Sequence, residues 1–223
     1  MTEASPSIPQ VKVCGLTDVD EAVGVAALGV HAVGCVFYPR SPRHLSREEA
    51  RAICAALPPE VRRVGVFVDE SVETVLHTVR ACGLDTVQLH GRETPEEVER
   101  LREEGLRVIK ALFATRSPGP GDAGRYRPSA FLMECGAGKL PGGNAETWDW
   151  SEARPLADRS PLVLAGGLTP GNVARAISLA QPDAVDLSSG VEAAPGRKDL
   201  AKVAALMAAV QGCRMTRRPR AIF

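Results

Sequence analysis

Short runs rich in Val, Ile, Leu and Phe alternate with Ala-, Glu- and Arg-rich segments of helical period, and this alternation restricts the fold more than any single motif. The candidate strands are 11–14, 32–37, 63–68, 86–90, 108–113, 130–134, 162–165 and 184–187. Candidate helices follow at 18–28, 47–57, 72–81, 95–104, 170–179 and about 198–210. Ser46 before Arg47-Glu48-Glu49 and Thr94 before Pro95-Glu96-Glu97 supply the side-chain oxygens that start helices. Strands alternating with helices make βαβ units and a parallel sheet. Eight such units in 223 residues specify a (β/α)8 TIM barrel, with a doubly wound open sheet as the competing arrangement. The fifth crossover breaks the rule: 114–128 is rich in Gly, Pro and Arg, which disfavours a full helix. A second irregular, glycine-rich stretch, 135–147, follows strand six and reads as an active-site loop. Nothing marks a domain boundary, so 1–223 reads as one barrel domain with 1–10 and 214–223 as tails.

Charge narrows the partners. Lys and Arg number 27 and so do Asp and Glu, so no field of one sign exists to recruit nucleic acid or an anionic membrane. The basic run Arg214 to Arg220 reads as a solvated or frayed terminus. Six widely spaced cysteines fit neither a disulfide scaffold nor a zinc site, and reduced thiols in a cytoplasmic protein are the simplest account. The first ten residues lack the basic and apolar regions of a secretory signal, and no apolar run reaches membrane-spanning length. No pattern identifies an interface, so the oligomeric state is not legible.

In a barrel, the loops after the strands gather at one face, and chemistry belongs there. Polar residues near strand ends therefore form a set: Cys14, Gln88 with His90, Lys110, Glu134, and Asp186 with Ser188. Strand alternation puts Lys12 and Cys14 on one face, where an ammonium would lower the thiol's pKa. The competing reading of Cys14 is a buried core thiol.

Several segments, taken in order, resemble the phosphoribosylanthranilate isomerase family of tryptophan biosynthesis: Val11-Lys12-Val13-Cys14-Gly15-Leu16, Val64-Gly65-Val66-Phe67-Val68, Val87-Gln88-Leu89-His90-Gly91, Leu164-Ala165-Gly166-Gly167-Leu168 and the run from Val185 to Glu192. The likeness extends from about Lys12 to Val210. It implies an Amadori rearrangement of a small phosphoribosyl substrate with no cofactor and no metal. It also implies Cys14 as the base and the strand-six carboxyl, here Glu134, as the acid. Arg43 matches the arginine that engages the anthranilate carboxylate, with Arg40 as a competitor and a surface arginine as the bland alternative. Asp186 matches a family residue near the sugar hydroxyls, and His90 either supports the site or is a satisfied core histidine. Phosphate would meet Gly142 and Gly143, Gly166 and Gly167, and Ser189 and Gly190. Trp148 or Trp150 is a candidate contact for the aromatic ring.

Two departures accompany the resemblance. The family acid is an aspartate, whereas Glu134 carries an extra methylene, and a shift of about 1 Å in a reacting group can cost on the order of 10²-fold in rate. Glu134 read as a structural charge would pair with Lys12 or Lys110. The glycine loop after strand six reads Gly142-Gly143-Asn144-Ala145, where the family has a Gly-Gly-Thr-Gly-like loop. These changes leave two alternatives open: a diverged member acting on another sugar-phosphate amine, or a non-catalytic phosphate-ligand binder.

Overall fold

The computed structural model describes residues 8–137 and 146–223. Eight parallel strands close into a barrel in sequence order: β1 (Gln10–Cys14), β2 (Ala32–Val36), β3 (Arg62–Phe67), β4 (Thr86–Leu89), β5 (Arg107–Phe113), β6 (Ala130–Glu134), β7 (Leu162–Leu164) and β8 (Ala184–Leu187). The open doubly wound sheet is thereby excluded, because β1 pairs with β8 as well as with β2. That closing pair sets Lys12 against Asp186, a register with consequences for the site.

Helices α1 (Val19–Ala27), α2 (Arg47–Ala56), α3 (Val72–Cys82) and α4 (Pro95–Glu103) follow the first four strands. Ser46 and Thr94 each form a full capping box, with Glu49 and Glu97 returning the bond, which satisfies two otherwise unpaired N–H groups per helix start. After β5 the crossover is a 3-10 helix at Pro120–Arg125, in keeping with its glycine and proline content. A short helix absent from the sequence reading, α5 (Arg154–Arg159), covers the β6 to β7 connection. The next, α6 (Val173–Ala180), begins three residues later than its periodicity suggests. Asn172 Oδ1 accepts from the Thr169 N–H at 2.7 Å, so a side-chain-bonded turn occupies 169–172. A small hairpin, β9 (Glu192–Ala194) and β10 (Arg197–Lys198), precedes α7 (Leu200–Gln211). Lys198 is taken into this hairpin, and Asp199 caps the helix.

The reading of 214–223 as a tail is overturned. Asp183, at the entry to β8, is fully buried and binds Arg217 Nη1 at 2.6 Å and Arg220 Nη2 at 2.8 Å, while its Oδ2 accepts the Leu162 N–H at 2.9 Å. Ile222 is buried with the barrel interior residues Ile109, Ala111 and Leu132, and the Gln10 side chain bonds to the backbone of Ile222 and Phe223. The basic run thus closes the end of the barrel opposite the catalytic face, and Gln10 belongs to β1 rather than to a tail.

Burial raises the Asp183 carboxyl, but bonds from Arg217 and Arg220 outweigh it and hold the pKa below the ordinary value. A depressed carboxylate stabilises the fold above its unfolded pKa of about 4 and loses that contribution as pH falls through the folded value. Asp183→Asn is therefore expected to cost about 3 kcal/mol at neutral pH, with the gap from wild type narrowing below about pH 4. Urea melts across pH check this.

Candidate active site

Every strand of the barrel is buried on both faces, so the pleat decides which side chains enter the interior. On β1, Lys12 and Cys14 point inward, while Val11 and Val13 join the outer core against the helices. On β6 the inward set is Ala130, Leu132 and Glu134. On β8, Asp186 shares the interior with Ala184, and on β4 Gln88 is followed by His90 on the same side. These side chains converge on a cleft at the carboxyl ends of the strands. Its empty volume, open mouth included, is about 880 Å³, enough for an aromatic ring and a phosphorylated pentose.

Cys14, Arg43, His90, Glu134, Asp186, Gly166, Gly167 and Ser189 all line this cleft. Arg43 is 6% exposed and reaches it, whereas Arg40 is exposed at the surface, which separates the two candidates. Gly190 does not line the cleft. A side-chain carbon there would run into the Leu168 backbone carbonyl, so this glycine permits the loops after β7 and β8 to touch. Gly142 and Gly143, with Asn144 and Ala145, lie outside the described residues. Neither Trp148 nor Trp150 borders the cleft. Their indole N–H groups instead donate to the carbonyls of Ala165 and Gly166 at 3.0 and 3.2 Å, bracing the β7 loop from behind.

Lys110 does not converge with the other polar strand-end residues. Ile109, Ala111 and Phe113 occupy the interior parity of β5, so Lys110 projects the other way and binds Glu93 at 2.9 Å and the Gly91 carbonyl at 2.8 Å. The expected pairing of Glu134 with Lys12 or Lys110 is corrected by the same geometry. Lys12 Nζ is bonded to Asp186 at 2.8 Å, as the β1–β8 register dictates, and Glu134 Oε1 faces His90 Nε2 at 3.2 Å. His90 is held on two further sides, by Gln88 Nε2 at 2.9 Å from Nδ1 and by the edge-on ring of Phe113 at 5.6 Å. Gln88 and Phe113 thereby fix the imidazole ring with its Nε2 edge turned toward Glu134.

Lys12 acts on the thiol in the expected direction, but burial outweighs it. Burial raises the Cys14 pKa, Lys12 pulls it down and Asp186 pushes it up again, leaving it above the ordinary thiol value. Burial, which lowers an ammonium, is outweighed at Lys12 by Asp186 and Cys14, so the lysine stays charged. Cys14 therefore rests as a protonated thiol beside a permanent cation that stabilises the thiolate once formed. Alkylation of Cys14 by iodoacetamide, followed by peptide mass spectrometry, is expected to have a pH midpoint above about 8.5. Lys12→Met should move the midpoint still higher; a downward shift would contradict this electrostatic arrangement.

Sequence reasoning passed over Glu192 and Lys198. Glu192 forms a bidentate pair with Arg43 at 2.7 Å on both oxygens, and Lys198 Nζ binds the same carboxylate at 2.6 Å. The two halves of the arginine pair are 149 residues apart, so no local spacing reveals it. Among the described residues, no group of three or more His, Cys, Asp or Glu side chains is arranged to hold a metal ion, and no helix is long and apolar enough to cross a membrane.

A thiol and a carboxyl held in one cleft at the carboxyl face of a parallel barrel, with an arginine and two glycine-bearing loops, define an acid–base TIM-barrel enzyme. The family model for N-(5'-phosphoribosyl)anthranilate (PRA) isomerase matches residues 11–209. An N-(5'-phosphoribosyl)anthranilate isomerase from Desulfatibacillum aliphaticivorans is 48% identical over 214 residues, spanning 96% of this chain and 98% of the relative. One from Rubrobacter xylanophilus is 48% identical over 191 residues, spanning 85% and 92%. Among solved structures, phosphoribosyl anthranilate isomerase from Thermotoga maritima superposes with a TM-score of 0.85 at 41% identity, covering 92% of this chain and all of that one. A solved isomerase in complex with reduced 1-(o-carboxyphenylamino)-1-deoxyribulose 5-phosphate gives 0.81 at 40% identity, with the same coverage. The chain belongs to the phosphoribosylanthranilate isomerase family.

Proposed function

We propose that this protein converts N-(5-phosphoribosyl)anthranilate to 1-(2-carboxyphenylamino)-1-deoxyribulose 5-phosphate, with Cys14 as general base and Glu134 as general acid. The observation that carries the reading is the placement of an inward thiol at the end of β1 and an inward carboxyl at the end of β6 in one cleft, within a member of this family.

The chemistry requires both groups. Glu134 gives a proton to the furanose ring oxygen as the C1–O bond breaks, and the amine lone pair forms the C1=N bond of the Schiff base. The ring oxygen becomes the 4-hydroxyl. Cys14 first gives its thiol proton to solvent, and the resulting thiolate, paired with the Lys12 cation, removes the proton from C2 as the electron pair moves to form an enolamine. Loss of the enol proton and protonation at C1 give the ketone, so the net change is an isomerisation that consumes no cofactor. Lys12 offsets the charge of the thiolate, and Asp186, whose Oδ1 has no protein partner among the described residues, would accept from a pentose hydroxyl. The ligand phosphate would take the backbone N–H groups of the loops bearing Gly166, Gly167 and Ser189. Arg43 would engage the anthranilate carboxylate.

Turnover of freshly prepared phosphoribosylanthranilate, followed through anthranilate fluorescence, tests the reading. Saturable conversion is expected. Binding of the reduced product analogue without any conversion would favour the phosphate-ligand binder instead.

A further inference from the structure

Glu192 has no part in the reaction above, yet it organises the cation at the edge of the cleft. Its carboxylate accepts from Arg43 Nε and Nη2 at 2.7 Å each, from Lys198 Nζ at 2.6 Å and from the Gly196 N–H at 3.2 Å. All three charged side chains are buried. The β9–β10 hairpin supplies Glu192 and Lys198, and Lys202 of α7 fixes it further by donating to the Glu192 carbonyl at 2.7 Å. From the opposite side, Gly15 adopts φ +77°, and a side-chain carbon at that position would collide with Arg43 Cδ. Only glycine allows the arginine stem to lie across the end of β1, next to Cys14.

A guanidinium has two edges that can offer paired donors to a carboxylate: the Nε edge, and the end edge between its two Nη nitrogens. Glu192 occupies the Nε edge. The end edge is therefore the one left to pair with an acceptor in the cleft that Arg43 lines. The charge balance points the same way. Arg43 and Glu192 alone would cancel, whereas Lys198 restores a net charge of one positive unit, suited to one incoming carboxylate.

We propose that Glu192 is a specificity-determining positioning residue: it grips Arg43 by the Nε edge so that the end edge meets the carboxylate on the ligand's aromatic amine, with Lys198 keeping the cluster cationic. This rests on the isomerase reading. It assigns the hairpin the task of selecting an anionic ring substituent, separate from the groups that move protons.

The test uses calorimetric titration with two ligands, reduced 1-(o-carboxyphenylamino)-1-deoxyribulose 5-phosphate and its counterpart lacking the ring carboxylate. The proteins are wild type, Glu192→Gln, and the double variant Glu192→Gln/Lys198→Met, which keeps the cluster's net charge and carries the comparison should the single variant not fold. Both variants are expected to lose about tenfold in affinity for the carboxylate ligand, as for one misaligned charge-assisted contact, with affinity for the carboxylate-free ligand unchanged. In turnover, KM should rise by a similar factor while kcat stays within about threefold. Equal losses on both ligands, or no loss on either, in a folded variant would overturn the proposal and leave the isomerase reading standing. Failure of the wild type to bind either ligand would overturn that reading, and the proposal with it.

Discussion

Cys14→Ala is expected to lower kcat by about 10³-fold while leaving the fold and the affinity for the reduced product analogue near wild type. The size of the effect follows from what the thiol does in the proposed reaction. It is the group that takes the C2 proton, and the nearest charged neighbours, Lys12 and Asp186, are locked to each other at 2.8 Å and fully or nearly buried. Neither is a ready substitute base. Removing a small inward side chain beside Val36 and Val66 leaves little apolar surface unpaired, so circular dichroism and melting should change little. Steady-state kinetics and analogue titration check the two halves of this expectation. Loss of binding alongside activity would assign Cys14 to the architecture of the cleft.

Glu134→Gln is expected to cost on the order of 10³-fold in kcat, because the amide keeps the hydrogen-bonding shape and lacks the transferable proton. His90, itself held by Gln88, keeps the carboxyl in place, so the neutral replacement should sit in the same position. Glu134→Asp is the more informative partner. If the longer side chain reaches the ring oxygen through its contact with His90, shortening it withdraws the acid from its support, and activity should fall about tenfold or more. A large gain on Glu134→Asp would instead mark the glutamate as a departure that weakens the family reaction.

The fold was legible because eight apolar runs alternate with capped helices, and a helix such as 95–104 announces its start through Thr94, Pro95 and Glu97. The inward set on β1, β6 and β8 was legible because residues two apart share a face. Lys110 was misplaced for a physical reason. Both faces of a barrel strand are buried, so hydrophobicity carries no parity, and nothing in Val108 to Phe113 says which side chains point inward. The clamp of Arg217 and Arg220 on Asp183 and the grip of Glu192 on Arg43 depend on contacts 34, 37 and 149 residues apart along the chain. Such pairs are set by barrel closure and loop return, and a local reading sees only a basic terminus and an isolated arginine. The pull of Lys12 on the thiol was legible from spacing, whereas the burial that outweighs it was not.

The most direct test of the acid–base assignment is single-turnover conversion of phosphoribosylanthranilate carrying hydrogen or deuterium at C2, by wild type and by Cys14→Ala. Rapid conversion by the wild type, with a conversion about 10³-fold slower in the variant that shows a primary isotope effect, is the result predicted for a thiol that removes the C2 proton. Conversion by Cys14→Ala at the wild-type rate would contradict it.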